Sequence, residues 1–405
     1  MSQIGLPSPA QGNRPVASTG IGRWQTPALV IGVIGAVLSI IGLVVNPLQF
    51  SRSYLPSYLF WFEIAAGALT VQMLQYVTGG EWGLMIRRPL GAAGRTLPWM
   101  ALLFIPVILG MKHTFPWANA DVVRANEVLS KTTHYLNPAG FIIRAAVYFA
   151  IMIGLSLMLR RYARQFAETR SPYVDVHRRG LSAAGVLIMV LVLTFASIDW
   201  QMSLEAGWTS TIFGISFVVS CGLSAFAFVV FLLSRLATAR AMAEILRPSH
   251  LRDLGNLTLA FIMLWAYTSF SQFLLIWFAN LKEEIPYYLK REHGVWGWIA
   301  AILIIFHFFL PFFMLLMRSI KDRASTIGVL SLIILVMRYV DIYWLTAPSY
   351  YGETFHYSWM DLTTLFGIGG LWVWLFIAQL KGQTILPIHE TWVEEALREG
   401  AVRHA

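Results

Sequence analysis

The stretch TIGVLSLIILVMRYVDIYW, residues 326–344, contains the two features that decide the fold of this chain. The residues up to Val336 are almost all apolar, and an α-helix needs about 20 such residues to cross the hydrocarbon core of a membrane. Arg338 and Asp341 then interrupt the apolar run. We therefore interpret the stretch as a membrane-spanning helix that carries an internal pair of opposite charges.

The whole chain has the composition of a membrane protein. Of its 405 residues 57% are hydrophobic and 13% are charged, and the mean hydropathy is +0.63. A soluble domain has about 25% charged residues, so we predict an all-α, polytopic membrane protein. The single cysteine, Cys221, excludes an internal disulfide. It also excludes an iron–sulfur cluster held by this chain alone, because such a cluster takes about four thiolates.

Apolar runs of sufficient length occur ten times, so we predict ten transmembrane helices. Their expected bounds are 27–45, 56–77, 97–112, 138–162, 179–199, 209–236, 256–280, 294–317, 325–346 and 360–381. Pro106 falls inside the short third run and predicts a kink there. The transmembrane domain covers 24–381. A Gly-, Pro- and Ser-rich tail at 1–23 is predicted to be disordered, and a tail at 382–405 is predicted to contain a short amphipathic helix.

The distribution of basic residues predicts the orientation of the chain. Ten spans place both tails on the same side of the membrane. The tails and the even-numbered loops hold about three times as many Lys and Arg residues as the odd-numbered loops. Because loops rich in Lys and Arg stay in the cytoplasm, we expect cytoplasmic termini and odd-numbered loops outside. The net charge of +9 therefore reflects topology, and we expect no nucleic-acid partner.

Six ionisable residues lie inside the predicted spans, and they are candidates for function because a charge is costly to bury in a membrane. They are Glu63, Arg144, Asp199, His307, Arg338 and Asp341. From a helix rise of about 1.5 Å per residue, we expect all of them except His307 to fall in one layer in the outer half of the membrane. His307 is expected past the middle.

The spacing of these residues indicates how they pair. Arg338 and Asp341 are three residues apart and share a helix face. Glu63 and Arg144 form a second candidate pair between two helices, and we interpret His307 as a hydrogen-bonded core histidine. Two interpretations stay open for the charged groups. They are ion pairs that hold the helices together, or they form a polar site that handles protons or binds a quinone head group.

Several segments of the chain together resemble one protein family. They are LFIPVILGMKHTFPWANADVV at 103–123, KTTHYLNPAGFIIRAAVYF at 131–149, RRGLSAAGVLIMVLVLTFASIDWQMSLEAGWTSTIFG at 178–214, and MRYVDIYW at 337–344. The chain resembles the F subunit of bacterial alternative complex III, a quinol:electron-acceptor oxidoreductase. That subunit is related to the NrfD-like membrane subunits, the polysulfide reductase family. The Asp-Trp-x-Met-Ser-Leu-Glu segment at 199–205 is the most specific part of the match.

The resemblance implies an NrfD-like core of two four-helix bundles with extra helices. It implies a complex in the bacterial inner membrane with a sister NrfD-like subunit, a multihaem cytochrome c, an iron–sulfur subunit and small membrane subunits, in contact with lipids. Haem c and iron–sulfur clusters are then expected on the partners, and quinone is a possible ligand. The role implied for this chain is a proton pathway or a second quinone site near the periplasmic side. Asp199, Arg338 and Asp341 lie nearest the quoted segments and are the first candidates for either role. A secondary transporter and a purely structural scaffold subunit are the alternatives.

Overall fold

The computed structural model describes residues 20–83, 85–237 and 246–381. Within these ranges ten helices are long and apolar enough to cross a membrane, which confirms the predicted fold class. They are Ile21–Val45, Pro47–Thr78, Arg87–Leu109, Pro138–Thr169, Pro172–Leu204, Phe213–Leu236, Pro248–Ala279, Gly294–Leu316, Ala324–Tyr351 and Trp359–Lys381. We call them the first to the tenth span.

Short helices lie in the connections between several of the spans. They are Met111–Thr114, Ala120–Ala125, Glu127–Thr132, Ile285–Glu292 and Arg318–Lys321. No β-strand occurs in the described parts of the chain. The predicted amphipathic helix at 382–405 and residues 1–19 of the predicted tail lie outside those parts. The end of the predicted tail instead begins a helix, because Ile21–Trp24 form a 3₁₀ turn that leads into the first span.

Several spans begin well before the apolar runs that predicted them. The second span begins at Pro47, where proline occupies the first turn and the Asn46 side chain accepts a hydrogen bond from the Gln49 amide at 3.0 Å. The seventh begins at Pro248, also with a proline in the first turn and ahead of its predicted run at 256–280. An N-terminal proline and an Asn cap favour helix initiation whatever the hydropathy of the residues that follow. These helices therefore extend beyond the hydrocarbon-length segment that their composition marks.

The third and eighth spans are irregular. The third consists of the segments Arg87–Gly94, Leu97–Leu103 and Ile105–Leu109, so the kink predicted from Pro106 is present. Proline removes a backbone donor from the helix, and the Leu103 carbonyl near this break accepts a hydrogen bond from the Tyr54 hydroxyl at 2.7 Å. The eighth span contains a π-helical stretch, Leu303–Phe309. Such stretches are rare and are often found at functional sites.

The spans form two four-helix bundles and one additional pair. The second to fifth spans pack together as one bundle, and the sixth to ninth as the other. The first and tenth spans pair with each other and lie against the second. The second and sixth spans join the bundles, and their apolar windows are 78% and 72% buried, against 28% for the first span. A Cβ atom on Gly67 would overlap the carbonyl of Cys221 at this junction.

Candidate functional site

A cluster of three charged residues lies where the two bundles meet, and Arg338 of the ninth span is its centre. Its guanidinium donates one hydrogen bond to Glu63 of the second span at 2.8 Å and another to Asp341, one turn further along its own helix. The predicted pairing of Arg338 with Asp341 is therefore confirmed. All three residues are almost completely buried, so one guanidinium faces two carboxylates away from water.

Two uncharged side chains complete the hydrogen bonding of this cluster, which we call the Arg338 cluster. The Ser224 hydroxyl of the sixth span donates to Glu63 at 3.0 Å and accepts a longer bond from Arg338 at 3.4 Å. The Trp265 indole of the seventh span donates to Asp341 at 3.1 Å. The second, sixth, seventh and ninth spans thus each contribute a side chain.

His307 of the eighth span adjoins the Arg338 cluster through Trp265. The two rings meet edge to face, with centroids 4.3 Å apart. His307 is fully buried, as a core histidine should be, but neither ring nitrogen has a hydrogen-bond partner among the described residues. The interpretation of His307 as a hydrogen-bonded residue is therefore wrong. It lies in the π-helical stretch, and it is a buried polar group that makes no hydrogen bond within the described structure.

The members of the Arg338 cluster lie at similar positions along their helices. Glu63, Ser224, Trp265, His307 and Arg338 each lie near the middle of their span. The prediction counted depth from the apolar boundary at 56, whereas the second span begins at Pro47. At about 1.5 Å per residue, Glu63 is about 24 Å from the start of its helix. The cluster therefore lies near the middle of its helices, with His307 at the same level, and its depth in the membrane stays a prediction.

Arg144 and Asp199 form a separate ion pair inside the first bundle. The guanidinium of Arg144 donates to both carboxylate oxygens of Asp199, at 2.8 and 2.9 Å, and the Tyr148 hydroxyl donates to the same carboxylate at 2.8 Å. The predicted pairing of Arg144 with Glu63 is wrong, because Glu63 binds Arg338. The pair lies near the end of the bundle that carries the odd-numbered loops, which we call the odd-loop end.

Aromatic side chains separate this pair from the Arg338 cluster. Trp200, next to Asp199 in sequence, packs against Phe62, next to Glu63, with ring centroids 5.0 Å apart. Phe104 lies 4.7 Å from the same indole ring. In the described part of the chain, no hydrogen bond between side chains joins the two groups. The single polar layer expected from the sequence is therefore two sites at different depths.

The two sites differ in their charge balance. Arg144 and Asp199 are one cation and one anion, and Asp199 accepts three hydrogen bonds, so the pair is neutral and well satisfied. The Arg338 cluster has two carboxylates for one guanidinium and would carry a charge of −1 if all three groups were ionised. An uncompensated charge is costly in a buried site. One bound proton would make the cluster neutral.

The most specific segment of the sequence resemblance stabilises loops at the odd-loop end. Glu205 accepts from Lys290 at 2.8 Å and pairs with the buried Arg291 at 3.4 Å. The guanidinium of Arg291 lies 3.7 Å from the centroid of the Tyr287 ring, which stacks on Trp208 at 3.8 Å. Burial raises the pKa of Tyr287 to about 12, so the phenol stays protonated. Glu205 therefore connects the loops after the fifth and seventh spans.

Sequence reasoning missed two residues near these sites. Trp265 had no distinguishing signal, because it is one of 16 tryptophans in the chain. Asp361 did have a signal, since it lies just inside the predicted tenth run at 360–381. It is buried, and its carboxylate accepts a hydrogen bond from the Ser358 amide at 2.6 Å.

Metal binding and similarity to known proteins add no further assignment. Among the described residues, no group of three or more His, Cys, Asp or Glu side chains could hold a metal ion. No family model matches the chain, and no curated protein matches it.

Proposed function

We propose that this chain is a membrane subunit of a quinol:electron-acceptor oxidoreductase complex, in which it handles protons at the Arg338 cluster and carries no redox centre. The resemblance of the 178–214 and 337–344 segments to the F subunit of alternative complex III supports the choice of complex. The observation that carries the proton-handling role is the pair of buried carboxylates, Glu63 and Asp341, on one guanidinium.

Charge balance supports proton handling over head-group binding at this cluster. A neutral cluster needs one proton, held by Glu63, by Asp341 or by the nearby His307. These three residues are at most 4% exposed, so a quinone ring has no room beside them, whereas a proton needs only a hydrogen-bonding route. A site that exchanges one proton among several buried groups titrates as a unit. Such sites are typical of proton relays in membrane proteins.

The geometry indicates how a proton would be exchanged. Arg338 donates to each carboxylate through a different terminal nitrogen, so it stays paired with one carboxylate while the other is protonated. Transfer of the proton between Glu63 and Asp341 would then move charge along the cluster without leaving a net charge in the interior. Ser224 and Trp265 keep a hydrogen bond to each carboxylate during the exchange.

The proposed complex defines the partners and the location. A sister NrfD-like subunit, a multihaem cytochrome c, an iron–sulfur subunit and small membrane subunits would surround this chain in a bacterial inner membrane. The cytoplasmic termini expected from the Lys and Arg distribution would place the odd-loop end at the periplasmic face. Haem c and iron–sulfur clusters would belong to the partners. A quinone could then approach the subunit only outside the enclosed Arg338 cluster.

Replacing Asp341 with asparagine in the purified complex tests this proposal. Asp341→Asn removes a proton-binding group but keeps the size of the side chain and a bond to Trp265. We expect at least a tenfold loss of quinol-dependent turnover or proton release in proteoliposomes, with unchanged subunit and haem content. Asp361→Asn is the matched control, a buried carboxylate outside the cluster, and should retain turnover. Normal turnover of a fully assembled Asp341→Asn complex would contradict the proposal.

A secondary transporter is the second candidate, and the central position of the cluster favours it. Binding sites of transporters lie near the middle of the membrane, beside interrupted helices. The Arg338 cluster lies near the middle of its helices, and the neighbouring π-helical stretch Leu303–Phe309 is such an irregularity. The purified chain, reconstituted alone, distinguishes the two functions. Accumulation of a small substrate driven by a proton gradient would support a transporter, and no uptake is expected of a complex subunit.

A scaffold without proton chemistry is the third possibility, and a triple substitution separates it from the first. Replacing Arg338 and Asp341 with methionine and leucine, together with Glu63→Gln, removes the cation and both anions at once, and such replacements are often tolerated in protein interiors. A scaffold would assemble and keep full turnover with these substitutions. A proton-handling subunit would assemble but lose turnover.

A further inference from the structure

The first, second, third and tenth spans enclose a cavity near the odd-loop end that the proposed function does not use. Its volume is about 310 Å³ and its lining is mainly apolar. The kinked third span contributes Leu103, Pro106 and Leu109, which lie on both sides of its interruption at Phe104. The cavity therefore lies beside the irregular part of the third span.

The cavity opens sideways towards the surrounding bilayer. Ile40, Leu43 and Leu109 lie at its rim and are 60%, 42% and 78% exposed. Since the volume of one water molecule in the liquid is about 30 Å³, the cavity holds roughly ten groups of methylene size. That volume accommodates about ten carbons of one acyl chain, and the rest of the chain would extend through the open side into the bilayer. Unfilled apolar cavities destabilise a protein, so a chain from the membrane is the expected occupant.

One polar group inside the cavity lacks a partner. Ser39 of the first span is 8% exposed and lines the cavity, and its hydroxyl makes no hydrogen bond to any described residue. The other hydroxyls of the lining are satisfied, because Ser51 donates to the Pro47 carbonyl and Tyr54 to Leu103. A buried hydroxyl needs an acceptor. An ester carbonyl at the head of an acyl chain would provide one.

Charges at the mouth of the cavity favour an anionic head group. His113 lies in the lining and is exposed, and the exposed Lys112 precedes it. No acidic residue lines the cavity. A phosphate near these side chains would sit at the odd-loop end of the first span. Ser39 lies six residues before Val45, the last residue of the first span, which is about 9 Å at a rise of about 1.5 Å per residue. The ester groups of a phospholipid begin at about this distance below its phosphate.

We propose that this cavity is a binding site for one membrane phospholipid. One acyl chain fills the space between the four spans, its ester carbonyl accepts the hydrogen bond of Ser39, and its phosphate lies beside Lys112 and His113. The lipid would fill the gap beside the kinked third span. This inference does not depend on the proposed function.

Lipid binding to the delipidated full-length chain tests the proposal. The protein is purified in a bulky sterol detergent and mixed with dioleoylphosphatidylglycerol, with oleic acid or with a menaquinone in separate samples. Native mass spectrometry then counts the bound molecules. We expect one tightly bound phosphatidylglycerol per chain, and oleic acid and menaquinone bound at least tenfold more weakly. Tighter binding of the quinone or the fatty acid, or no binding of any probe, would overturn the proposal.

Substitutions in the first span locate the bound lipid. Ser39→Phe fills the cavity and should lower phosphatidylglycerol retention at least tenfold. The matched control is Ile41→Phe, which adds the same ring on the same helix at a position 47% exposed and outside the lining. Ser39→Ala leaves the cavity open and should lower retention several-fold, which keeps the test valid if Ser39→Phe does not fold. Equal retention by Ser39→Ala, Ile41→Phe and the unmodified chain would exclude Ser39 as the anchor.

Discussion

Replacing Arg338 with methionine tests whether the cluster is as desolvated as its geometry indicates. Methionine keeps much of the length of arginine and removes its charge. Glu63 would lose a 2.8 Å ion pair, and Asp341 would lose its bond from the same guanidinium. The bonds from Ser224 to Glu63 and from Trp265 to Asp341 would remain. The substitution therefore leaves two buried carboxylates without a cation.

The expected cost follows from these lost contacts. A hydrogen bond to a charged group contributes about 1.5–3 kcal/mol, so the loss of two predicts a destabilisation of about 3–6 kcal/mol. Breaking a buried ion pair costs about 3–5 kcal/mol, which agrees with this range. The carboxylates can escape the penalty by binding protons. The folded variant would then hold more protons than the unfolded chain, so its stability rises as the pH falls.

Equilibrium unfolding in mixed micelles measures both effects. Arg338→Met should lose about 3–6 kcal/mol of unfolding free energy near neutral pH, and should recover part of it in mild acid. Adding Glu63→Gln and Asp341→Asn removes the stranded charges and should restore most of the stability. Arg164→Met, which breaks an exposed ion pair, is the control and should leave the stability nearly unchanged, because exposed pairs contribute little. An Arg338→Met variant as stable as the original chain at both pH values would refute the reasoning.

Three further predictions concern the buried histidine His307, the ion-paired Asp199 and the closely packed Gly67. His307→Phe removes two ring nitrogens that lack a hydrogen-bond partner. In the same unfolding assay the unfolding free energy should stay the same or rise by about 1 kcal/mol. A decrease of more than about 1 kcal/mol would show that His307 makes a hydrogen bond. Asp199→Leu leaves Arg144 uncompensated and should cost about 3–5 kcal/mol, and a cost under 1 kcal/mol would mean that the pair does not stabilise the first bundle. Gly67→Leu should prevent the protein from accumulating in membranes, because a side chain at this position would overlap the backbone of Cys221. Gly154→Leu is the control, because the space around Gly154 is open. Equal amounts of the two variants on an immunoblot would contradict the close approach of the helices at Gly67.

The fold could be predicted from the sequence to a useful level because hydropathy is a local property. Ten apolar runs predicted ten spans, and each is found close to its expected place. Pro106 predicted the kink in the third span for an equally local reason, since proline removes a backbone donor wherever it stands. Helix starts were less predictable. Pro47 and Asn46 initiate the second span outside the apolar run. A hydropathy pattern does not show them, because helix caps depend on hydrogen bonding and backbone geometry and not on apolar character.

The depth of the candidate site could not be read from the apolar boundaries. Glu63 was expected in the outer half of the membrane because its apolar run begins at 56. The helix begins at Pro47, so Glu63 lies near its middle. Because the helices are longer than the hydrocarbon core, the end of an apolar run is not the end of a helix. The contact that puts His307 beside the cluster, with Trp265, also joins two different helices and is absent from the hydropathy pattern.

The sequence by itself determined which groups are buried in the membrane and which pair is local. The apolar stretch 326–344 fixes a helix, and the three-residue spacing of Arg338 and Asp341 places both on one face, whatever the rest of the chain does. Only the tertiary structure decided that Glu63 joins Arg338 and that Arg144 joins Asp199. Those contacts join different helices, and a one-dimensional pattern does not contain the rotation and neighbours of each helix. The unequal charge of the Arg338 cluster, on which the proposed function rests, is therefore a property of the packing.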